Sequence, residues 1–133
     1  MIRGINHVGF VVESIDDVLE FLKRAYDAKE LGRHEFPELG QISCLVQIGD
    51  GKFELMEPLG DVGVVPKFLK TKGEGFHHIS LLSDNLEKDC EKLENQGVEI
   101  IGKSYEGPFK TAFTHPKSSK GIIYEIAELQ EAF

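Results

Sequence analysis

The chain has no tryptophan, only two cysteines, and no apolar run that approaches the ~18–20 residues of a membrane span. A membrane-spanning helix is therefore not expected. Cys44 and Cys90 stand far apart and neither has a CxxC partner, so a disulfide framework is not expected either, and both read as core thiols. The N-terminus lacks a basic segment followed by an apolar core, which predicts no secretory signal and a reduced, cytoplasmic protein. Basic residues are scarce: 15 Lys and Arg face 23 Asp and Glu, for a formal charge of −8. That balance argues against non-specific nucleic-acid binding. It leaves room for a small anionic ligand, because Lys103, Lys110, Lys117 and Lys120 are opposed locally only by Glu106.

What is present is an echo. Ile5-Asn6-His7-Val8-Gly9 returns 71 residues later as Phe76-His77-His78-Ile79-Ser80. Phe53-Glu54-Leu55 returns at the same offset as Tyr124-Glu125-Ile126. Each half thus carries one His on an opening strand and one Glu on a closing strand, equally spaced.

The intervening sequence supports the duplication. Val- and Ile-rich residues 5–12 read as a strand, with His7 on one face and Val8, Phe10 and Val12 on the other. Ser14 predicts a helix start with Asp17 in a capping box, and Ile15, Val18, Leu19, Leu22 and Ala25 make its apolar stripe. Residues 29–40 read as a short strand and loop, 41–48 as a strand, Asp50-Gly51 as a hairpin turn and 52–57 as the returning strand. A segment at 59–74, with a short helix around Val65–Leu69, links to the second half. There the plan repeats: a strand at 76–83, a helix capped by Asp84 or Asn85 and stopped by Gly97, and strands at 98–101, 110–114 and 121–127. Each half reads βαβββ. The expected architecture is an α+β fold of two tandem βαβββ modules, at 1–58 and 75–128, forming a shared metal-binding cleft. They make one domain of 133 residues.

Taken singly, a strand Glu is usually a solvated face and a strand His a hydrogen-bonded structural residue. The matched spacing changes that weighting. Two His and two Glu related by an internal duplication are what a metal on a pseudo-twofold axis needs, so His7, Glu54, His78 and Glu125 are the candidate ligands. His77 faces away from His78, and its counterpart is Asn6, so it reads as structural. His115 precedes Pro116, pairs with Cys44 at offset 71, and suits a turn or packing role. His34 has no matched partner.

Several of these motifs resemble a known family. His7-Val8-Gly9, Phe53 to Gly60 (FELMEPLG), Gly75 to Ile79 (GFHHI), His115-Pro116-Lys117 and Gly121 to Ile126 are similar to the vicinal oxygen chelate superfamily, closest to methylmalonyl-CoA epimerases, with glyoxalase I as a near relative. The resemblance covers nearly the whole chain. It implies a glyoxalase-like fold, metal ligands at His7, Glu54, His78 and Glu125, and a homodimer. One departure stands out: where some epimerases carry a second catalytic glutamate, this chain has Ser43.

Two imidazoles and two carboxylates suit one six-coordinate divalent ion such as Co, Ni, Mn or Fe, and Zn also fits. Two positions would remain for substrate oxygens. The metal would act as a Lewis acid toward an enolate, with Glu125 and Glu54 as candidate catalytic residues. The expected activity is isomerase chemistry on the α-proton of a short acyl-CoA, methylmalonyl-CoA epimerisation above all. Lys110 and Lys117 are candidate contacts to the CoA phosphates. A glyoxalase I-type lyase acting on a thiol adduct and a metal-free binding or resistance module are the alternatives. A third, Fe(II) oxygen chemistry, usually needs three open positions, and the fourth ligand argues against it.

Overall fold

The computed structural model describes residues 1–129. Two compact units emerge, one formed by Val8–His77 and the other by Met1–His7 together with the chain from His78 onward. The division passes through two strands, β1 (Ile2–Val11) and β5 (Gly75–Ser83).

In the unit of Val8–His77, β1 leads to helix α1 (Ile15–Tyr26) and then to β2 (Lys29–Phe36), β3 (Gln41–Ile48) and β4 (Gly51–Pro58). The strand order is β2-β3-β4-β1, with β1 parallel to β4 and the other pairs antiparallel. Alternation sorts the side chains. Phe10, Val12, Phe53 and Leu55 turn to the face where Ile15, Leu19 and Leu22 of α1 pack with Cys44 and Val46. Val11 and Met56 turn to the other face, under Val65, Phe68 and Leu69 of α2 (Val64–Lys72). The stripe expected for α1 is therefore the one it buries, except that Ala25 is exposed. Gly40 and Gly63 approach so closely that a Cβ on Gly63 would collide with the backbone of Leu39, and both have positive φ.

The other unit repeats the order as β5, helix α3 (Leu86–Asn95), β6 (Ile100–Ser104), β7 (Phe109–Thr114) and β8 (Tyr124–Leu129). Its strands run β5-β8-β7-β6, with β5 parallel to β8 and the remaining pairs antiparallel. Leu86 and Cys90 of α3 bury against Ala112 and Ile126, with Leu93 and Tyr124 at the margin. Both cysteines are buried free thiols, and burial pushes the Cys44 thiol up to about 11. Asn85 rather than Asp84 is the cap of α3, accepting from the Lys88 N–H, and Ser14 likewise accepts from Asp17 in α1.

Three local expectations differ from the structure. The β3–β4 hairpin turns on Gly49-Asp50, one residue earlier than Asp50-Gly51, because Ile48 pairs with Gly51 and Gly49 takes the positive φ of 56°. The polar stretch after Lys29 forms a full eight-residue strand, β2. Cys44 is not the counterpart of His115. Cys44 lies opposite Leu55 and Ala112 opposite Ile126, so β7 matches β3 at an offset of 68. The β7–β8 connection is three residues longer than the hairpin and contains the 3-10 turn Pro116–Ser118.

A second duplicated pair of acids is structural. Glu57 accepts from the Ile15 N–H and Glu128 from the Leu86 N–H, both at 2.8 Å. Each carboxylate satisfies an otherwise unpaired amide and sits at the positive end of a helix. Replacing Glu128 by Ala should therefore lower stability by about 1–2 kcal/mol. That corresponds to a fall of about 3–6 °C in the thermal unfolding midpoint, read by circular dichroism. Glu128→Gln, which keeps the acceptor, should lose less.

Candidate metal centre

His7 lies near the middle of β1 and His78 in β5, and both side chains are buried, His78 to 2% exposure. Their Nε2 atoms stand 3.2 Å apart, with the rings nearly perpendicular. Glu125 on β8 brings its Oε1 to 3.3 Å from His7 Nε2. Within the unit that holds these three residues, His78 Nε2 and Glu125 Oε1 thus both approach His7 Nε2.

The separations fit a metal. Ligands about 2.0–2.2 Å from an ion lie about 3.0 Å from one another along the edge of an octahedron and about 3.4 Å along that of a tetrahedron. Without an ion or a proton between them, two imidazole lone pairs 3.2 Å apart would repel. The surroundings orient the rings. Asn6 places its Nδ2 3.1 Å from His7 Nδ1, where it donates to the ring. A flip of the amide would turn its oxygen to the ring, to accept from Nδ1–H in the tautomer that leaves Nε2 for a metal. Phe113 stands edge-on to His78 at 6.2 Å between ring centres.

Glu54 belongs to the unit of Val8–His77. It is buried on β4, opposite Leu45 and beside Gly9 in the parallel pair. Its face is that of Met56 and Val11, away from α1. His7, Glu54 and His78 are thus buried side chains of metal-binding type, able to serve as ligands. Ser43 shares that face of β3 opposite Met56; it is fully buried and accepts a hydrogen bond from Gln41.

The remaining histidines lie elsewhere. His77 is in the other unit from His78 and sets its ring edge-on to Phe68 of α2, 5.0 Å away. The Nδ1 of His115 accepts from the Lys117 N–H and caps the 3-10 turn, and His34 is exposed on β2. The lysine cluster is partly neutralised. Lys103 pairs with Glu94 at 3.0 Å and Lys110 with Glu128 at 3.6 Å. Lys110 also lines a hollow of about 300 Å³ with Asp84, Glu87, Tyr105 and Glu128, acidic company for a phosphate. Lys117 and Lys120 are exposed.

Sequence reasoning overlooked Asn6, Phe113 and the Glu57 and Glu128 caps. The caps had a signal: Glu-x-x-Glu occurs at 54–57 and again at 125–128, the same offset as the histidines. Asn6 and Phe113 had none, because their roles depend on ring geometry.

Residues 6–113 match the model of the glyoxalase/bleomycin resistance protein/dioxygenase superfamily. The uncharacterized protein YqjC of Bacillus subtilis is 31% identical over 127 residues, covering 93% of this chain and 91% of its own. The mitochondrial methylmalonyl-CoA epimerase of Homo sapiens is 28% identical over 128 residues, covering 93% of this chain and 73% of its own. Among solved structures, methylmalonyl-CoA epimerase from Mycobacterium tuberculosis superposes with a TM-score of 0.90 at 24% identity, over 98% of this chain and 90% of that one, which establishes the glyoxalase-like fold. The chain belongs to the glyoxalase/bleomycin resistance protein/dioxygenase superfamily.

Proposed function

We propose that this protein is a metal-dependent epimerase that moves the α-proton of a short acyl-CoA, with methylmalonyl-CoA as the first substrate to test. The observation that carries this reading is the approach of two donor atoms to His7 Nε2: His78 Nε2 at 3.2 Å and Glu125 Oε1 at 3.3 Å. His7, His78 and Glu125 hold one divalent ion, and Glu54, the duplicated counterpart of Glu125, is the fourth ligand. The donor set suits Co, Ni, Mn, Fe or Zn. When bound, such an ion supplies Lewis-acid stabilisation of the negative charge that develops on the substrate as the α-proton leaves.

The chain's own residues do the rest. Glu125 takes the α-proton, since its carboxylate already stands 3.3 Å from His7 Nε2. Inversion requires delivery of a proton from the other face, and Glu54 is the second carboxylate, because Ser43 offers no acid on β3. Burial of His7, His78 and Glu54 keeps bulk water from quenching the carbanionic state. Lys117, exposed and ahead of the neutralised Lys110, meets the CoA phosphates. The protein acts in the cytoplasm, as a single domain and as a homodimer. No described helix is long and apolar enough to cross a membrane.

Ser43 favours one second reading. With no acid on β3, the same proton shuttle serves a glyoxalase I-type isomerisation of a glutathione adduct. A metal-free binding module is disfavoured because the full donor set is retained.

One experiment separates these readings. The purified protein, its metal quantified, is incubated with methylmalonyl-CoA in heavy water, and α-deuterium is read by mass spectrometry. The expected result is about one divalent ion per chain and exchange that a chelator abolishes. Turnover of a glutathione thiohemiacetal without exchange into methylmalonyl-CoA would move the assignment to the second reading.

A further inference from the structure

Among the described residues, one buried side-chain polar atom has no hydrogen-bond partner, the hydroxyl oxygen of Ser80. Ser80 is fully buried, two residues beyond His78 on β5 and on the same face. The other buried hydroxyls are satisfied: Ser43 by Gln41, Ser83 by Asp89 and Thr114 by Ser119. A buried hydroxyl without a partner is costly, and a strand that could carry alanine there has no packing reason to keep one.

The register of β5 and β8 places Ser80 directly beside Glu125. Their neighbours Leu81 and Ile126 belong to the apolar cluster on the opposite face, so Ser80 and Glu125 share the side of the sheet that carries His78. Neighbouring strands lie about 4.8 Å apart, which puts a serine hydroxyl within reach of a glutamate carboxylate after side-chain rotation alone. In the other unit the equivalent position beside Glu54 is Gly9, which has no side chain. On this parallel side the duplication is broken, a serine standing where the other unit has a glycine.

We infer that Ser80 is a positioning residue for Glu125: its hydroxyl donates to the carboxylate when Glu125 turns to bind the metal. This rests on the metal reading above. The hydroxyl fixes which carboxylate oxygen is free, and it makes Glu125 and Glu54 inequivalent, so that one of the two is the better held base. Outer-shell partners of this kind commonly change metal affinity by about 10–100-fold.

The test uses the full chain, with Ser80→Ala and Ser80→Thr beside wild type. Metal-free protein is melted, and Co²⁺ affinity is measured by competition with a chromophoric chelator, with the visible Co²⁺ spectrum recorded. Removing an unsatisfied hydroxyl should leave the metal-free S80A protein as stable as wild type or more so. The same variant should bind Co²⁺ about 10-fold more weakly, with an altered spectrum. S80T, which keeps the hydroxyl, should restore both. A lower melting temperature for metal-free S80A with wild-type Co²⁺ affinity would overturn the inference and make Ser80 a packing residue, leaving the metal reading intact. Wild-type protein that takes up no Co²⁺ would overturn the metal reading itself, and this inference with it.

Discussion

His78→Ala should strip the protein of its metal and abolish proton exchange, while His77→Ala should do neither. The two residues are adjacent, so a general disturbance of β5 would affect both variants alike. Their surroundings differ. His78 is 2% exposed and faces the Nε2 of His7, whereas His77 packs edge-on against Phe68 of α2. Loss of a direct ligand should exceed the roughly 10–100-fold penalty typical of an outer-shell partner. Exchange should then fall to the metal-free background. His77→Ala should cost about 1 kcal/mol of stability from the lost ring contact and keep full metal occupancy. Elemental analysis, with a circular dichroism melt as a folding control, decides it. Equal metal loss in the two variants would mean that the faces of β5 have been assigned wrongly.

Glu125→Gln should be the second severe substitution. It preserves the shape of a side chain that sits in register between Ser80 and Phe113, so the fold should hold. An amide cannot accept the α-proton, and removal of a positioned base costs about 100- to 10,000-fold. The variant should retain metal weakly, if at all, because a neutral amide oxygen is a poorer ligand for a divalent ion than a carboxylate. Glu125→Asp keeps the charge at a shorter reach and should recover part of the metal. Deuterium incorporation and metal content measured on the same samples would separate the two losses. Undiminished exchange in Glu125→Gln would transfer the role of base to Glu54.

Much of this centre could be read from the sequence, because a duplication without gaps between strand and helix preserves offsets. His7 and His78, Glu54 and Glu125, and the caps Ser14 and Asn85 all keep the 71-residue spacing. The same arithmetic failed at β3 and β7, since the Gly49-Asp50 hairpin and the longer connection through Pro116–Ser118 differ by three residues. A difference in connection length is invisible to composition, so the 71-residue offset aligns Cys44 with His115 whereas its structural counterpart is Ala112. The pairing of Lys110 with Glu128 was also illegible. A cluster of lysines reads as positive, but register brings an acid from the neighbouring strand to one of them. Ser80 looked like any serine in a strand; its meaning depends on what stands beside it.

The paired glutamates of β4 and β8 give each strand an acid on either side. Glu54 and Glu57, like Glu125 and Glu128, are three residues apart, an odd spacing that sends them to opposite faces about 10 Å apart along the strand. The inner acid is proposed for chemistry; the outer one is bonded to the first amide of a helix in its own unit. Sliding of β4 or β8 along its axis would strain that bond as it displaced the reactive carboxylate. The amide protons of Ile15 and Leu86 are thus remote reporters of strand position. Their chemical shifts should register any axial movement of Glu54 or Glu125 during turnover, through nuclei that touch neither metal nor substrate.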